Sequence, residues 1–71
     1  MEERYLLSDF WIHSADGSVR SHYQHFNDEL TMPDAYVLTT FITNNDGTKT
    51  VVSSLISKTA YTKALDYALN H

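Results

Sequence analysis

Two Asp-Gly pairs, Asp16-Gly17 and Asp46-Gly47, constrain this chain more than any other feature, and they contain its only two glycines. Asp-Gly favours the positive backbone φ angles that tight hairpin turns require. Each pair lies between segments rich in β-branched and aromatic residues, which are typical of strands. The sequence therefore predicts two successive β-hairpins.

The four segments predicted as strands are residues 4–13, 19–26, 35–43 and 48–56. The first, third and fourth carry apolar side chains at alternate positions on both of their faces. For the second, a short helix over residues 21–30 is a competing prediction, because Tyr23, Phe26 and Leu30 also follow helical spacing. Periodicity alone does not separate the two alternatives.

The first hairpin has an expected register. With Asp16-Gly17 as a two-residue loop, Trp11 faces His22 and Leu7 faces Phe26. These are aromatic and apolar cross-strand pairs, which stabilise a sheet.

The second hairpin is predicted in the same way. A two-residue loop at Asp46-Gly47 places Phe41 opposite Val52 and Ile42 opposite Val51. A four-residue loop would instead place Phe41 opposite Thr50. Because apolar cross-strand pairs stabilise a sheet, the two-residue loop is the predicted form.

A loop is predicted over residues 27–33, which are mostly polar and end at the only proline, Pro33. Residues 57–69 predict an amphipathic helix that Ser57 or Thr59 can cap. The side chains expected on its apolar face are Tyr61, Ala64, Leu65, Ala68 and Leu69. The predicted fold is a single α+β domain over residues 1–71. It has a small, mostly antiparallel sheet of three to four strands in ββββα order, with the C-terminal helix packed on one face.

Composition narrows the function classes. The chain has no cysteine, which excludes disulfides and thiolate metal sites, and its formal net charge is −4. Acidic chains bind nucleic acid poorly, because that binding relies on Lys and Arg neutralising phosphates. No segment approaches the roughly 20 apolar residues of a membrane span. The start of the chain is acidic rather than signal-like, so we expect a cytoplasmic protein.

Three histidines form the candidate metal site: His13, His22 and His25. Histidine with nearby carboxylates can bind zinc or another divalent ion. The hairpin register, however, places His25 on the other face of the sheet from His13 and His22. No cofactor motif is present, and no serine lies in a nucleophile elbow, so the sequence does not favour an enzyme.

Function is predicted from the imbalance between apolar strands and a single covering helix. A second sheet face or an edge strand would remain for binding another protein or a second copy of the chain. The candidate partner-binding residues are Tyr5, Trp11, Asp28 and Glu29. The sequence thus predicts a non-catalytic protein-binding or regulatory module that associates with itself. Two alternatives remain: an acidic inhibitor of a nucleic-acid-binding partner, and a small metal- or ligand-binding protein using the histidine-rich hairpin.

Overall fold

The computed structural model describes residues 4–28 and 32–70, and it contains one four-stranded antiparallel sheet followed by a helix. The strands lie side by side in chain order. Their bounds are β1 (Arg4–His13), β2 (Val19–Asp28), β3 (Met32–Thr43) and β4 (Lys49–Ile56), and the helix is α1 (Lys58–Leu69). The predicted α+β fold in ββββα order is confirmed.

The first hairpin confirms part of the expected register. Trp11 lies opposite His22, as predicted, but Leu6 rather than Leu7 lies opposite Phe26. The reason is an irregularity between Leu6 and Ser8, where one extra residue in β1 shifts the pairing.

The loop of the first hairpin is longer than the predicted two residues. The Ser14 N–H donates to the Val19 carbonyl at 2.9 Å, which leaves residues 15–18 in the loop. Gly17 has φ +76°, in the left-handed region that glycine adopts without strain.

The second hairpin corrects the predicted register by one residue. Phe41 lies opposite Val51, not Val52, and Ile42 lies opposite Thr50, not Val51. The cause is a three-residue loop, which begins after Asn44.

Hydrogen bonds around this loop explain its length. The Asn44 N–H donates to the Thr48 carbonyl at 2.8 Å, and Gly47 has φ +88°. A turn followed by a left-handed glycine is a common three-residue hairpin connection. Asp46 Oδ1 also accepts from the Thr48 N–H at 3.0 Å, so the local side-chain bonds favour this loop over the tighter one.

The connection between β2 and β3 is shorter than predicted. β2 extends to Asp28 and β3 begins at Met32, so the ends of the predicted 27–33 loop belong to strands. The competing helix over residues 21–30 is excluded for residues 21–28, which all pair with β1 and, except for Asn27, also with β3. Pro33 lies near the start of β3, beside a register irregularity between Phe26 and Asp28, where proline is tolerated.

The helix begins after Ser57, whose Oγ accepts from the Ala60 N–H at 3.1 Å. This cap satisfies one of the backbone donors left free at a helix start. Leu69, in the last turn, is 77% exposed, so the stripe that α1 packs on the sheet ends before it. Among the described residues, no helix is both long and apolar enough to cross a membrane.

The core is a cluster of aromatic rings between α1 and the sheet, centred on Tyr61. This ring is 4% exposed. Its hydroxyl lies 2.8 Å from Ser8 Oγ, at hydrogen-bond distance. The rings within 6.5 Å of the Tyr61 ring, measured between centroids, are those of Phe10, Tyr23, His25 and Tyr36. Because one helix covers so little area, Tyr36 and Tyr61 are the only buried apolar residues among those described.

Candidate binding face

The sheet has one face that α1 leaves uncovered. Side chains alternate along a strand, and Phe10 and Tyr23 contact Tyr61 of the helix. Their chain neighbours Trp11 and His22 therefore point to the opposite side, which we call the open face. The side chains on this face include those of Asp9, Trp11, Arg20, His22, Gln24, Val37, Thr39, Phe41, Val51, Ser53 and Leu55.

Aromatic stacking forms the centre of the open face. The rings of Trp11 and His22 lie parallel with centroids 4.2 Å apart, and Phe41 lies 5.6 Å from Trp11. The Arg20 guanidinium carbon lies 5.8 Å from the Trp11 ring centroid and 6.0 Å from that of Phe41. Cation–π attraction of this kind holds the arginine over the rings.

Asp9 and His22 form a pair on the open face. Asp9 Oδ2 lies 2.8 Å from His22 Nε2, and the His22 side chain is 17% exposed. The contact is an ion pair when His22 is protonated and a hydrogen bond when it is neutral. Asp9 and His22 therefore satisfy each other, whereas the rings beside Arg20 leave the N–H donors of its guanidinium to be met by water or by a partner.

Large apolar side chains on the open face remain in contact with solvent. Trp11 is 46% exposed, Val51 58% and Leu55 74%. Trp11, Phe41 and Val51 are neighbours, whereas the row of His22, Thr39 and Ser53 separates them from Val37 and Leu55. An exposed apolar patch with polar groups around it is typical of an interaction site. The open face is therefore the candidate functional site.

The residues predicted to bind a partner have different placements. Trp11 lies at the centre of the open face. Glu29 lies outside the described residues. The backbones of Tyr5 and Asp28 belong to β1 and β2, and their side chains lie outside the described set.

The three candidate metal-binding histidines do not share a face. His13 lies opposite Arg20 and shares the open face with His22. His25 lies on the helix side, stacked on Tyr36 with ring centroids 4.4 Å apart. Among the residues that the structure describes, no three histidine or acidic side chains gather as metal ligands would.

His25 contacts an acidic residue on its own side of the sheet. Its Nε2 lies 3.1 Å from Asp34 Oδ2, at ion-pair distance, but this buried nitrogen lacks hydrogen-bond geometry. A hydrogen bond from the Asn27 side-chain amide, with a smaller contribution from His25, lowers the pKa of the Asp34 carboxyl. The hydrogen bond from Asn27 to Asp34 links the end of β2 to the start of β3.

Sequence reasoning named neither Arg20 nor Phe41 as a site residue, although the register of the first hairpin already placed Arg20 opposite His13 on the face of Trp11. Arg20 and Phe41 meet because β2 pairs with β3, which places the two residues directly opposite each other. Hairpin turns indicate the register within each hairpin, whereas the register between the hairpins has no comparable local signal. Trp11 and Phe41, two strands apart, become neighbours only through that pairing.

Comparison with known proteins gives no match: no family model matches the sequence, and no curated protein or solved structure has significant similarity to it.

Proposed function

We propose that this chain is a non-catalytic, self-associating protein-binding module in which the open face packs against the open face of a second copy. The observation that carries the proposal is a sheet with apolar side chains on both faces and a helix on only one. No described side chain is completely buried. A second copy supplies the missing layer, because a sheet must bury its apolar face against another element.

The surface area of the chain supports the same conclusion. A compact monomer of 8.1 kDa exposes about 4,500 Å², whereas this chain exposes 5322 Å². The excess is about 800 Å² relative to that scaling, and a standard specific interface buries about 800 Å² on each partner. One interface of ordinary size would therefore remove the excess.

The shape of the chain explains where the excess area comes from. The molecule is a slab with extents of 44 × 30 × 15 Å and a radius of gyration of 13.8 Å, against roughly 11 Å for a compact 71-residue domain. Two such slabs can stack as a sandwich, in which facing sheets lie roughly 10 Å apart. A two-fold axis would place the same patch on both sides of the contact.

The chemistry of the open face suits a contact from which water is excluded. Burying an unpaired charge is costly, but Asp9 is paired with His22, and the two rings beside Arg20 offset part of the cost of burying its guanidinium. Tryptophan and arginine are also the residue types that contribute most to binding energy at protein interfaces.

The proposal is tested by substituting Trp11 and measuring self-association by sedimentation equilibrium. Trp11→Thr removes the central ring and keeps a residue that favours strands. An interface anchor of this kind contributes about 2 kcal/mol. Both copies lose it, so we expect the dissociation constant to rise by at least roughly 30-fold. Circular dichroism of the variant would check that it remains folded.

Leu69→Ser is the matched control, because it removes an apolar side chain that is 77% exposed but lies on α1. We expect this variant to associate as the wild-type chain does. A wild-type chain that is monomeric at high concentration, or equal weakening by both substitutions, would contradict the proposal.

A further inference from the structure

The edges of the sheet differ in how they are protected. In β1, the irregularity between Leu6 and Ser8 interrupts the regular edge, and Asp9 follows it. β4 pairs regularly with β3 along its length and contains neither glycine nor proline. Its only charged residue is Lys49, at its first position, and seven of its eight residues are exposed. An edge with these properties is a template for adding another strand.

The backbone groups that β4 offers can be identified from its pairing with β3. The Asn44 N–H donates to the Thr48 carbonyl, which sets the alternation of the ladder. In an antiparallel pair, alternate residues exchange hydrogen bonds with the partner strand. Thr50, Val52 and Ser54 therefore bond to β3, and the N–H and C=O groups of Val51, Ser53 and Leu55 point away from the sheet.

We propose that β4 pairs antiparallel with β4 of a second copy around a two-fold axis at Ser53, joining two sheets into one of eight strands. This register places Val51 of each copy opposite Leu55 of the other, and both of these side chains are exposed. All three residues with outward-pointing backbone groups then exchange hydrogen bonds across the axis. A shift by two residues would place Leu55 opposite Lys49, which loses the apolar pairs.

This second contact is independent of the proposed stacking of open faces. It uses the backbone edge of one strand. The Val51 and Leu55 side chains that pair across the edge also belong to the open face, which lies on one side of the joined sheet. Val52 and Ser54 provide a selective probe of this second contact, because their side chains lie on the helix side of the sheet. Copies stacked through their open faces would keep these side chains apart.

The test is disulfide formation between two single-cysteine variants, Val52→Cys and Ser54→Cys. The natural chain has no cysteine, so any disulfide must join the introduced residues. The predicted register places residue 52 of one copy opposite residue 54 of the other, with Cα atoms about 4.5 Å apart. Within one variant, the two equivalent positions are about 8 Å apart, beyond the reach of about 7 Å for a disulfide. We expect the mixture of differently tagged variants to form a mixed disulfide dimer as its main oxidised product.

Thr50→Cys is the control, because its two copies would be about 20 Å apart along the paired strands and should not cross-link. The proposal is overturned if the mixture forms no mixed dimer, or if Thr50→Cys cross-links equally well. Rapid cross-linking of Val52→Cys alone would contradict the register, since it requires position 52 to face itself.

A second variant tests the backbone contact directly. Ser53→Pro removes an N–H that points away from β3, and proline is tolerated on edge strands. In a chain that also carries Val52→Cys or Ser54→Cys, it should abolish the mixed disulfide while circular dichroism still shows folded protein. Unchanged cross-linking in the folded variant would contradict the edge pairing. The fluorescence of Trp11 reports on the open face, so failure of one proposal can be distinguished from failure of the other.

Discussion

At the scale of single residues, the hairpin turns depend on aspartate carboxylates that accept several hydrogen bonds. Asp16 Oδ1 accepts from the Ser18 N–H at 3.0 Å and from the hydroxyls of Ser14 and Ser18, each at 2.7 Å. These bonds favour the ionised carboxylate, the backbone bond most, and lower its pKa from 3.8 to about 2. Hydrogen bonds from the Thr48 hydroxyl and N–H likewise lower the pKa of Asp46.

The lowered pKa of Asp16 predicts how stability changes in acid. Because the folded-state pKa lies below the unfolded value, the contribution of Asp16 is present above pH 3.8 and is lost as the pH falls through about 2. An NMR titration of the carboxyl carbons should show Asp16 ionising well below 3.8. The variant Asp16→Asn should show a smaller loss of stability over that pH range in urea unfolding. An Asp16 that titrates at its ordinary value would refute this description of the turn.

At the scale of elements, Tyr61 fixes the helix to the sheet. It is 4% exposed, it contacts rings from β1, β2 and β3, and its hydroxyl meets Ser8. Truncating a buried aromatic side chain to alanine costs about 3–5 kcal/mol. A domain of this length has a total stability of roughly 4–10 kcal/mol. Tyr61→Ala should therefore remove much or all of the folding free energy.

Chemical denaturation of a small set of variants checks this expectation. Tyr61→Phe keeps the ring and loses only the bond to Ser8, so it should cost about 1 kcal/mol. Tyr67→Ala changes the same residue type on the same helix, at a position that is 52% exposed, and should cost less than Tyr61→Ala. Equal losses from Tyr61→Ala and Tyr67→Ala would show that Tyr61 is not the anchor.

The elements were predictable from the sequence because their signals are local. The Asp-Gly pairs, the β-branched segments and the Ser57 cap each act within a few residues. The register of the second hairpin was predicted wrongly because it was chosen for its apolar cross-strand pairs, such as Phe41 with Val52. The structure pairs Phe41 with Val51 instead. The bonds of Asn44 and Asp46 to Thr48 decide the loop length, and the register follows from it.

At the scale of the whole molecule, the sequence predicted that one sheet face would lack a cover, and the structure shows which one. It could not predict the whole composition of that face: the first hairpin brings Arg20 beside Trp11, but Phe41 joins them only through the pairing of β2 with β3. The two proposed contacts are geometrically compatible. If both form, two eight-stranded sheets would stack into a four-chain assembly; with only one, the assembly would contain two chains.

The most direct test of the central claim, that the open face packs against a second copy, is the fluorescence of the wild-type chain on dilution. Trp11 is the only tryptophan, and it is 46% exposed in the single chain. We predict blue-shifted emission that is protected from a soluble quencher at high concentration, and a red shift on dilution as sedimentation shows the chains separating. Emission and quenching that stay the same while the mass changes would contradict burial of the open face.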